Sequence, residues 1–375
     1  MKVVIAMDSF KGSMSSLEAG EAARRGVLRA GEAEVVVLPL ADGGEGTTEA
    51  LAAGLGGAFR TVTVHGPLGE PVQARYGVLP DGRTAVMEMA QAAGITLVRE
   101  KDPWRANTAG VGEMILDAVE AGCRDFLLGI GGSATTEGGL GMLDALGWGF
   151  YDAQGRRLRP APASLGQVES IRREGVPALL EECRFRIACD VTNPLCGPQG
   201  AVAVYGPQKG VRPQEIAGLD EAMARYARAV ERCTGRACAD LPGAGAAGGL
   251  GFAFLSFFPG AVLEPGVDLV LDAVGMDKAL EGAQVVVTGE GRLDGQTASG
   301  KAPLGVARLA KGHGCRVVAF AGSVTPDAGA CHQAGIDGFF PIVRGPGTLE
   351  EAMDPAHAQS NLEQAVEQVF RLLMG

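Results

Sequence analysis

The sequence has few aromatic residues and no excess of positive charge. Phenylalanine, tyrosine and tryptophan make up 5% of the chain, and the formal net charge at pH 7 is −11. The tryptophans and tyrosines do not alternate with basic residues, so the stacking platform of a single-strand-binding protein is not expected. The acidic balance also provides no net attraction to a phosphate backbone. We therefore expect no nucleic-acid partner.

The sequence also lacks a long apolar run, and its first residues do not follow the pattern of a signal peptide. Its longest apolar stretch covers 252–258 and is followed at once by Pro259, which is too short for a bilayer span. The N-terminal apolar run reaches Asp8 without the charged leader and the cleavage site of a signal peptide. We therefore expect no membrane partner and a cytoplasmic location.

Zinc sites and nucleophile elbows are missing as well. The eight cysteines include no Cys-x-x-Cys pair, and the four histidines are scattered without a His-Glu-x-x-His motif. A catalytic zinc is therefore not expected. No Gly-x-Ser-x-Gly motif occurs, which disfavours a serine hydrolase. The cysteines are expected to be reduced and structural.

What the sequence does have is glycine, 58 of 375 residues, and an alternation of β-branched runs with helix-like stretches. The chain of 375 residues is longer than a typical single domain, and a content of 46% hydrophobic residues is typical of globular proteins. Runs such as 3–5 and 125–130, each followed by a helical pattern, predict an α/β fold with largely parallel sheets flanked by helices. Short strands at 61–64, 72–76 and 85–88 predict an antiparallel hairpin region.

The change to hairpins and the later return of strand–helix alternation predict two domains. We expect a discontinuous outer α/β domain of residues 1–66 plus 280–375. The inserted middle domain is expected to cover 67–279, with the hairpin region near its start.

Acidic residues and glycines cluster after predicted strands, where open α/β sheets bind ligands. Asp8, Ser9 and Lys11 precede a helix whose start carries the capping-box pair Ser15 and Glu18. Helix-start amides beside a lysine suit a bound anion. The alternative is that Ser15 only caps the helix and Lys11 is solvated.

Asp42 and Glu45 lie in a second glycine cluster, Ala-Asp-Gly-Gly-Glu-Gly at 41–46. Two carboxylates in such a loop could hold Mg²⁺ through water. They could equally serve as first-turn acids that stabilise the helix start.

The third cluster, 129–139, follows the strongest predicted strand. Its glycines allow backbone N–H groups to surround phosphate oxygens. Gly129, Gly131 and Ala134 also satisfy the pattern G-x-G-x-x-A, with Asp152 at the spacing of a ribose-binding acid. A nicotinamide-dependent dehydrogenase of a small hydroxy acid is therefore an alternative, and so is a turn that only packs a helix on a sheet.

The fourth cluster carries Glu290, Arg292 and Asp294. It runs into 295–302, which matches a P-loop except that Ala302 replaces the hydroxyl residue. We interpret that match as accidental but keep Lys301 as a candidate phosphate contact.

Taken together, seven segments resemble one family, the type I bacterial glycerate kinases, in order and spacing over nearly the whole chain. They are DSFK at 8–11, ADGGEG at 41–46, GGSAT at 131–135, DVTNPL at 190–195, GPQKG at 206–210, GAGAAGG at 243–249 and TGEGRLD at 288–294. Met7 and Gly12 depart from the family pattern. So do Thr136 and Glu137, where relatives carry Asn-Asp; Glu137 keeps the charge on a longer stem.

The resemblance implies ATP-dependent phosphorylation of D-glycerate, with the 2-hydroxyl as acceptor, giving 2-phosphoglycerate and ADP. It also implies a two-domain α/β fold with the active site in the cleft between domains. The same kinase giving 3-phosphoglycerate is one alternative, and a non-catalytic nucleotide-binding regulator is another. Assembly into a homodimer is left open.

Residue type and strand-end position then suggest roles for individual residues. Asp190 is expected to orient the substrate hydroxyl. Lys11 and Lys209 are expected to neutralise phosphate or the glycerate carboxylate, and Arg292 to bind that carboxylate through two parallel hydrogen bonds. The other expected substrate contacts are Asp8, Ser9 and Asn193. The expected contacts to the ATP phosphates are Gly131, Gly132, Ser133, Ala134 and Thr135. The expected Mg²⁺ carboxylates, acting through water, are Glu290 with Asp294, or else Asp42 with Glu45.

Overall fold

The structure is a computed structural model that describes residues 1–295 and 302–375. The candidate phosphate contact Lys301 and most of the P-loop-like match lie outside the described residues. The strands are β1 (Lys2–Met7), β2 (Glu34–Pro39), β3 (Ala58–His65), β4 (Pro71–Val78), β5 (Thr84–Glu88), β6 (Asp125–Gly129), β7 (Trp148–Tyr151), β8 (Ser170–Arg173), β9 (Arg184–Ala188), β10 (Val262–Glu264), β11 (Val285–Leu293), β12 (Arg316–Val324) and β13 (Gly338–Pro341).

The helices alternate with these strands along most of the chain. They are α1 (Ser16–Ala30), α2 (Thr47–Gly54), α3 (Ala90–Ala93), α4 (Ala109–Glu120), α5 (Leu140–Ala145), α6 (Ala201–Tyr205), α7 (Pro213–Thr234), α8 (Leu250–Phe257), α9 (Gly266–Ala273), α10 (Met276–Leu280), α11 (Ala302–Gly312), α12 (Ala330–Gln333), α13 (Leu349–Met353) and α14 (Pro355–Met374). Within the described ranges no helix is both long enough and apolar enough to cross a bilayer.

The described chain forms two compact units. Unit 1 comprises Met1–Asp42, Glu49–Gly56 and Val267–Gly375, and unit 2 comprises Gly43–Thr48 and Gly57–Gly266.

The main passage into unit 2, at Gly57, and the return to unit 1, at Val267, both lie N-terminal to the predicted boundaries at 67 and 280. Strand β3 belongs to unit 2 because it pairs along its whole length with β4 in an antiparallel ladder. The segment that begins at Val267 belongs to unit 1 because it packs on α11. A Cβ added at Gly305 would lie 2.5 Å from a methyl carbon of Val267.

Unit 1 has a five-stranded sheet in the order β13-β12-β11-β1-β2, and all of its pairings are parallel. The apolar run of β1 is buried, as a strand covered on both faces requires. The predicted capping box starts α1: Ser15 Oγ accepts the Glu18 N–H at 3.3 Å, and the Glu18 carboxylate accepts the Ser15 N–H at 2.8 Å. Helix α1 packs against α14 through Gly26, where a Cβ would lie 2.4 Å from the Glu363 carbonyl oxygen.

Unit 2 has a six-stranded sheet in the order β10-β9-β6-β5-β4-β3. Strands β10, β9, β6 and β5 are parallel, while β5, β4 and β3 form the predicted antiparallel region. A separate antiparallel pair, β7-β8, completes the strands of the unit. The α/β class with largely parallel sheets is confirmed. None of the eight cysteines forms a disulfide.

Candidate functional site

Five of the predicted site residues of unit 2 line one cavity of about 450 Å³, which we call the Lys209 cavity: Gly131, Gly132, Ser133, Asp190 and Lys209. This volume is typical of small-molecule sites. Its lining residues are Gly43, Gly44, Ile95, Ile130, Gly131, Gly132, Ser133, Ala188, Cys189, Asp190, Val191, Tyr205, Gln208, Lys209, Ala246 and Ala247. The cavity thus combines the glycine loop after β6, the residues after β9 and the segment after α6.

Only the first three of the predicted phosphate contacts in the glycine loop, 131–133, line the cavity. Gly131, Gly132 and Ser133 line it, and Gly132 has a positive φ of 72° that favours glycine. Ala134 and Thr135 are 6% and 0% exposed, and they lie outside the lining. The Ala134 N–H donates to the Ala93 carbonyl oxygen at 2.9 Å. Of the five predicted phosphate contacts, 131–133 line the cavity and 134–135 do not.

Lys209 anchors this loop from within the protein. Lys209 is only 3% exposed. Its ammonium donates hydrogen bonds to Ser133 Oγ and to the Thr135 carbonyl oxygen, both at 2.6 Å. Burial lowers the pKa of Lys209 to about 7, and the nearby Glu137 carboxylate opposes that shift. Lys209 therefore holds the loop in shape while also bordering the cavity.

Glu137 follows the loop in sequence and is not among the residues that line the Lys209 cavity. It is 1% exposed and accepts hydrogen bonds from Thr108 Oγ1 at 2.9 Å and from the Gly141 N–H at 2.6 Å. Burial raises the pKa of Glu137 to about 7 despite these bonds. Thr108 also accepts the Met142 N–H at 2.8 Å. Sequence reasoning flagged Glu137 only as a departure from a pattern and missed this supporting position.

Asp190 is exposed at the carboxyl end of β9 and lines the Lys209 cavity. Its Oδ1 accepts the Gly266 N–H at 2.9 Å, which orients the carboxylate. Asn193 does not line this cavity. Its amide donates to the Gln199 carbonyl oxygen at 2.8 Å and accepts the Tyr205 hydroxyl at 2.6 Å. Asn193 therefore holds Tyr205, a cavity residue that sequence reasoning missed although the chain has only four tyrosines.

The glycine-rich segment 243–249 packs against the glycine loop. A Cβ at Gly248 would lie 2.0 Å from the Thr135 carbonyl oxygen, so only glycine fits there. Its neighbour Ala247 borders the cavity with a positive φ of 53°, a conformation that non-glycine residues rarely adopt. The segment supports the loop through close backbone approach.

The predicted site residues of unit 1 converge on a second cavity of about 480 Å³, which we call the Asp8 cavity. Its lining residues are Asp8, Ser9, Phe10, Lys11, Ser13, Asp42, Glu290, Gly291, Arg292, Asp294, Gly322, Ser323, Ile342, Val343, Leu349, Ala352, Met353 and Ala358. The lining includes all seven predicted site residues that the structure describes in this unit: Asp8, Ser9, Lys11, Asp42, Glu290, Arg292 and Asp294.

Glu290 and Arg292 lie on a strand rather than in a loop, because β11 continues five residues beyond the predicted 285–288. In the register with β12, Glu290 is opposite Ala321 and Arg292 is opposite Ser323. Arg292 Nε lies 3.6 Å from Asp294 Oδ2. The strand fixes which way these charged groups project.

Negative charge is concentrated in the Asp8 cavity. Burial raises the pKa of Asp8 to about 6, and the carboxylates of Asp42 and Glu290 add to that shift, against the effects of the Ser9 N–H and Lys11. Across 1–295 and 302–375, no three His, Cys, Asp or Glu side chains form a set that could hold a metal by themselves. One or two carboxylates are nevertheless enough to bind Mg²⁺ in a protein, because the ion keeps several of its waters and also binds substrate phosphates.

Glu45 is in a different place from Asp42. It lines a third cavity, of about 350 Å³ in unit 2, together with Glu88, a residue that sequence reasoning missed. Glu88 ends β5 after the apolar residues 85–87, is 5% exposed and accepts the Thr48 N–H at 2.8 Å. The sequence signal that could have identified Glu88 is an acidic residue directly after an apolar run.

We expect Glu88→Ala to lower the free energy of unfolding by about 1 to 3 kcal/mol, because the buried Thr48 amide loses its acceptor. Glu88→Gln keeps an acceptor oxygen and is expected to lose less. Urea denaturation measures both. The exposed neighbour Glu45 provides the control, since Glu45→Gln is expected to stay within about 0.5 kcal/mol of the parent. Equal stability of the Glu88→Ala variant and the parent would contradict the supporting role.

Asp152, the acid that a dehydrogenase would need for a cofactor ribose, is engaged in its own turn. It accepts the N–H groups of Gln154 and Arg156, each at 2.9 Å, and Arg156 Nε at 2.7 Å. These bonds lower the pKa of Asp152. It lines none of the three cavities described above.

Comparisons with known proteins agree with the resemblance seen in the sequence. A model described as the glycerate kinase family matches residues 3–374. The chain is 44% identical over 372 residues to the glycerate kinase of Bacillus subtilis (strain 168), covering 98% of this chain and 97% of that protein. It is also 44% identical over 360 residues to the glycerate 2-kinase of Escherichia coli (strain K12), covering 95% and 94%.

A solved structure from Salmonella typhimurium LT2, assigned to glycerate kinase 2, matches with a TM-score of 0.91 and 42% identity over 100% of this chain and 98% of that one. Two independent kinds of similarity, in sequence and in fold, thus extend over nearly the full length. The chain belongs to the glycerate kinase family and is an enzyme of the kinase class.

Proposed function

We propose that this enzyme transfers the γ-phosphoryl group of ATP to the 2-hydroxyl of D-glycerate, giving 2-phosphoglycerate and ADP. The observation that carries the proposal is the Lys209 cavity, where a glycine loop, a buried ammonium and the Asp190 carboxylate line one space. Phosphoryl transfer needs little covalent chemistry from the protein. It needs in-line positioning, charge neutralisation and a carboxylate near the attacking hydroxyl.

In unit 2, the backbone of Gly131, Gly132 and Ser133 would bind phosphate oxygens, with Lys209 keeping the loop in shape and contributing its positive charge. Asp190 would accept the hydrogen bond of the substrate hydroxyl. As the bond from that oxygen to the γ-phosphorus forms and the bond from phosphorus to ADP breaks, Asp190 takes the hydroxyl proton and later releases it to water.

In unit 1, Arg292 and Lys11 would neutralise the substrate carboxylate or phosphate, with Asp8 and Ser9 as polar contacts. Glu290 and Asp294 would hold Mg²⁺ through water. Asp42 lines the same cavity and Glu45 does not, so Asp42 joins that pair in preference to a pair made with Glu45. The bound Mg²⁺ ion supplies positive charge for the phosphate oxygens of ATP.

A ³¹P NMR assay with ATP, Mg²⁺ and D-glycerate tests the proposal. In a proton-coupled spectrum the phosphorus of 2-phosphoglycerate is split by the single proton on C2, whereas that of 3-phosphoglycerate is split by the two protons on C3. We expect the first pattern. The second would keep the kinase and reverse the hydroxyl.

Glycerol is the matched substrate control because it has the hydroxyl groups of D-glycerate without the carboxylate, and we expect little turnover with it. Binding of ATP without any phosphorylated product would mean a nucleotide-binding regulator rather than this enzyme.

A further inference from the structure

The Asp8 cavity has a second, apolar wall that the proposed chemistry does not use. Phe10, Ile342, Val343, Leu349 and Met353 line it. Val343 is 41% exposed, Leu349 is 76% exposed and Met353 is 36% exposed, whereas Phe10 and Ile342 are buried. An apolar surface left open beside four carboxylates and two cations fits a ligand that has both apolar and charged parts.

The wall is pre-formed. Leu349 and Met353 are four residues apart on α13, so they share one face of that helix. A capping box holds the start of α13: Thr348 Oγ1 accepts the Glu351 N–H at 3.2 Å, and the Glu351 carboxylate accepts the Thr348 N–H at 2.9 Å. Met353 adds a flexible thioether side chain, which packs well against flat aromatic rings.

D-glycerate has no apolar surface to pack against this wall, because each of its three carbons carries oxygen. The adenine base of ATP has two apolar faces and a polar edge. The hydroxyl groups of Ser13 and Ser323, which also line the cavity, can hydrogen-bond such an edge. Lys11 and Arg292 in the same cavity suit the phosphates that follow the base and ribose.

We infer that the apolar wall of the Asp8 cavity binds the adenine base of the nucleotide, with Leu349, Val343 and Met353 as its specificity-determining contacts. This inference rests on the proposed function only in that ATP is the phosphoryl donor. It assigns the base to unit 1 and adds three residues that none of the sequence motifs contains.

Isothermal titration calorimetry with ADP and with pyrophosphate tests this assignment without any turnover. Pyrophosphate carries the phosphate portion of ADP and lacks the base. We expect Leu349→Gln to weaken ADP binding at least about tenfold while pyrophosphate binding stays within about twofold. Adding Val343→Thr is expected to weaken ADP binding further. Leu349 is so exposed that its replacement leaves the fold intact.

Leu372 provides the matched control, because it is an 85% exposed leucine on α14 outside the cavity lining. Leu372→Gln is expected to leave the ADP affinity within about twofold of the parent. Equal ADP affinity of the Leu349→Gln variant and the parent overturns the assignment, as does a parent that fails to bind ADP.

Sedimentation velocity distinguishes the remaining explanation for an exposed apolar wall. If Leu349→Gln changes only the association state and leaves ADP binding intact, the wall is a contact between copies of the chain and the inference is wrong. If ADP binding is lost as expected but D-glycerate is not phosphorylated by the parent, the base site stands and the proposed acceptor substrate fails.

Discussion

Asp190→Asn is expected to lower kcat for D-glycerate phosphorylation by about 10² to 10⁴-fold, because an amide cannot take the hydroxyl proton. The substitution keeps the shape of the side chain. An asparagine Oδ1 still accepts the Gly266 N–H that orients Asp190 at 2.9 Å in the parent. We therefore expect an unchanged fold and a KM for ATP within about threefold of the parent, so that the loss falls on kcat. Steady-state kinetics with both substrates varied measures this.

Asp277→Asn is the matched control. Asp277 is a largely exposed aspartate that contacts His313 and lines none of the three cavities, and its replacement is expected to change kcat by less than about twofold. A kcat for Asp190→Asn within about threefold of the parent would rule out the proton-accepting role and return Asp190 to a simple turn residue.

Lys209→Met and Glu137→Gln are expected to change the pH dependence of stability in opposite directions. Both groups are almost fully buried, with Glu137 1% and Lys209 3% exposed, and each carries a pKa of about 7. In Lys209→Met, the pKa of Glu137 stays above its ordinary value of 4.5. In Glu137→Gln, the pKa of Lys209 stays below its ordinary value of 10.5.

The sign follows from which state holds the proton. Glu137 in the folded Lys209→Met variant keeps a proton that the unfolded chain loses above pH 4.5, so the free energy of unfolding falls as pH rises from about 5 to 7. Lys209 in the folded Glu137→Gln variant loses a proton that the unfolded chain keeps up to pH 10.5, so the free energy of unfolding rises from about pH 7 to 10. Each slope approaches about 1.4 kcal/mol per pH unit.

The double variant Lys209→Met/Glu137→Gln is the reference, since it contains every other titratable group and neither member of the pair. Urea denaturation followed by the fluorescence of Trp104 and Trp148, both in unit 2, gives the free energies. We expect each single variant to diverge from the double variant over its own pH window. Parallel pH profiles for all three proteins would show that the pKa values of Glu137 and Lys209 are the same in the folded and unfolded states, and would contradict the shifts caused by burial.

The same pair has a consequence for activity. Lys209 holds Ser133 and Thr135, so its loss frees the glycine loop that would bind phosphate. We expect kcat/KM for ATP in Lys209→Met to fall by at least about tenfold. Because Lys209→Arg cannot fit both hydrogen bonds in the same buried space, we expect it to restore little of the lost activity. Full rescue by arginine would indicate that charge alone matters.

The sequence by itself determined the class of fold and the family, and it supplied the candidate site residues. Alternation of β-branched runs with helical patterns is a local property, so β1, β6 and β11 could be predicted from their own residues, and so could the capping box of α1. Glycine and acid after a strand also mark the ligand-binding edge of a parallel sheet, because strand ends meet there. Seven motif segments in the same order and spacing were specific enough to identify the family.

Only the tertiary structure decided which of those residues share a cavity and which support it. Lys209 reaches Ser133 and Thr135 from more than seventy positions away in the sequence, and the buried Glu137 accepts a hydrogen bond from Thr108. Ala134 and Thr135 belong to the predicted cradle by sequence but turn into the protein. The wall made by Val343, Leu349 and Met353 carries no motif. A local pattern records helix, strand and turn, whereas the direction of a side chain and its burial depend on segments that only folding brings together.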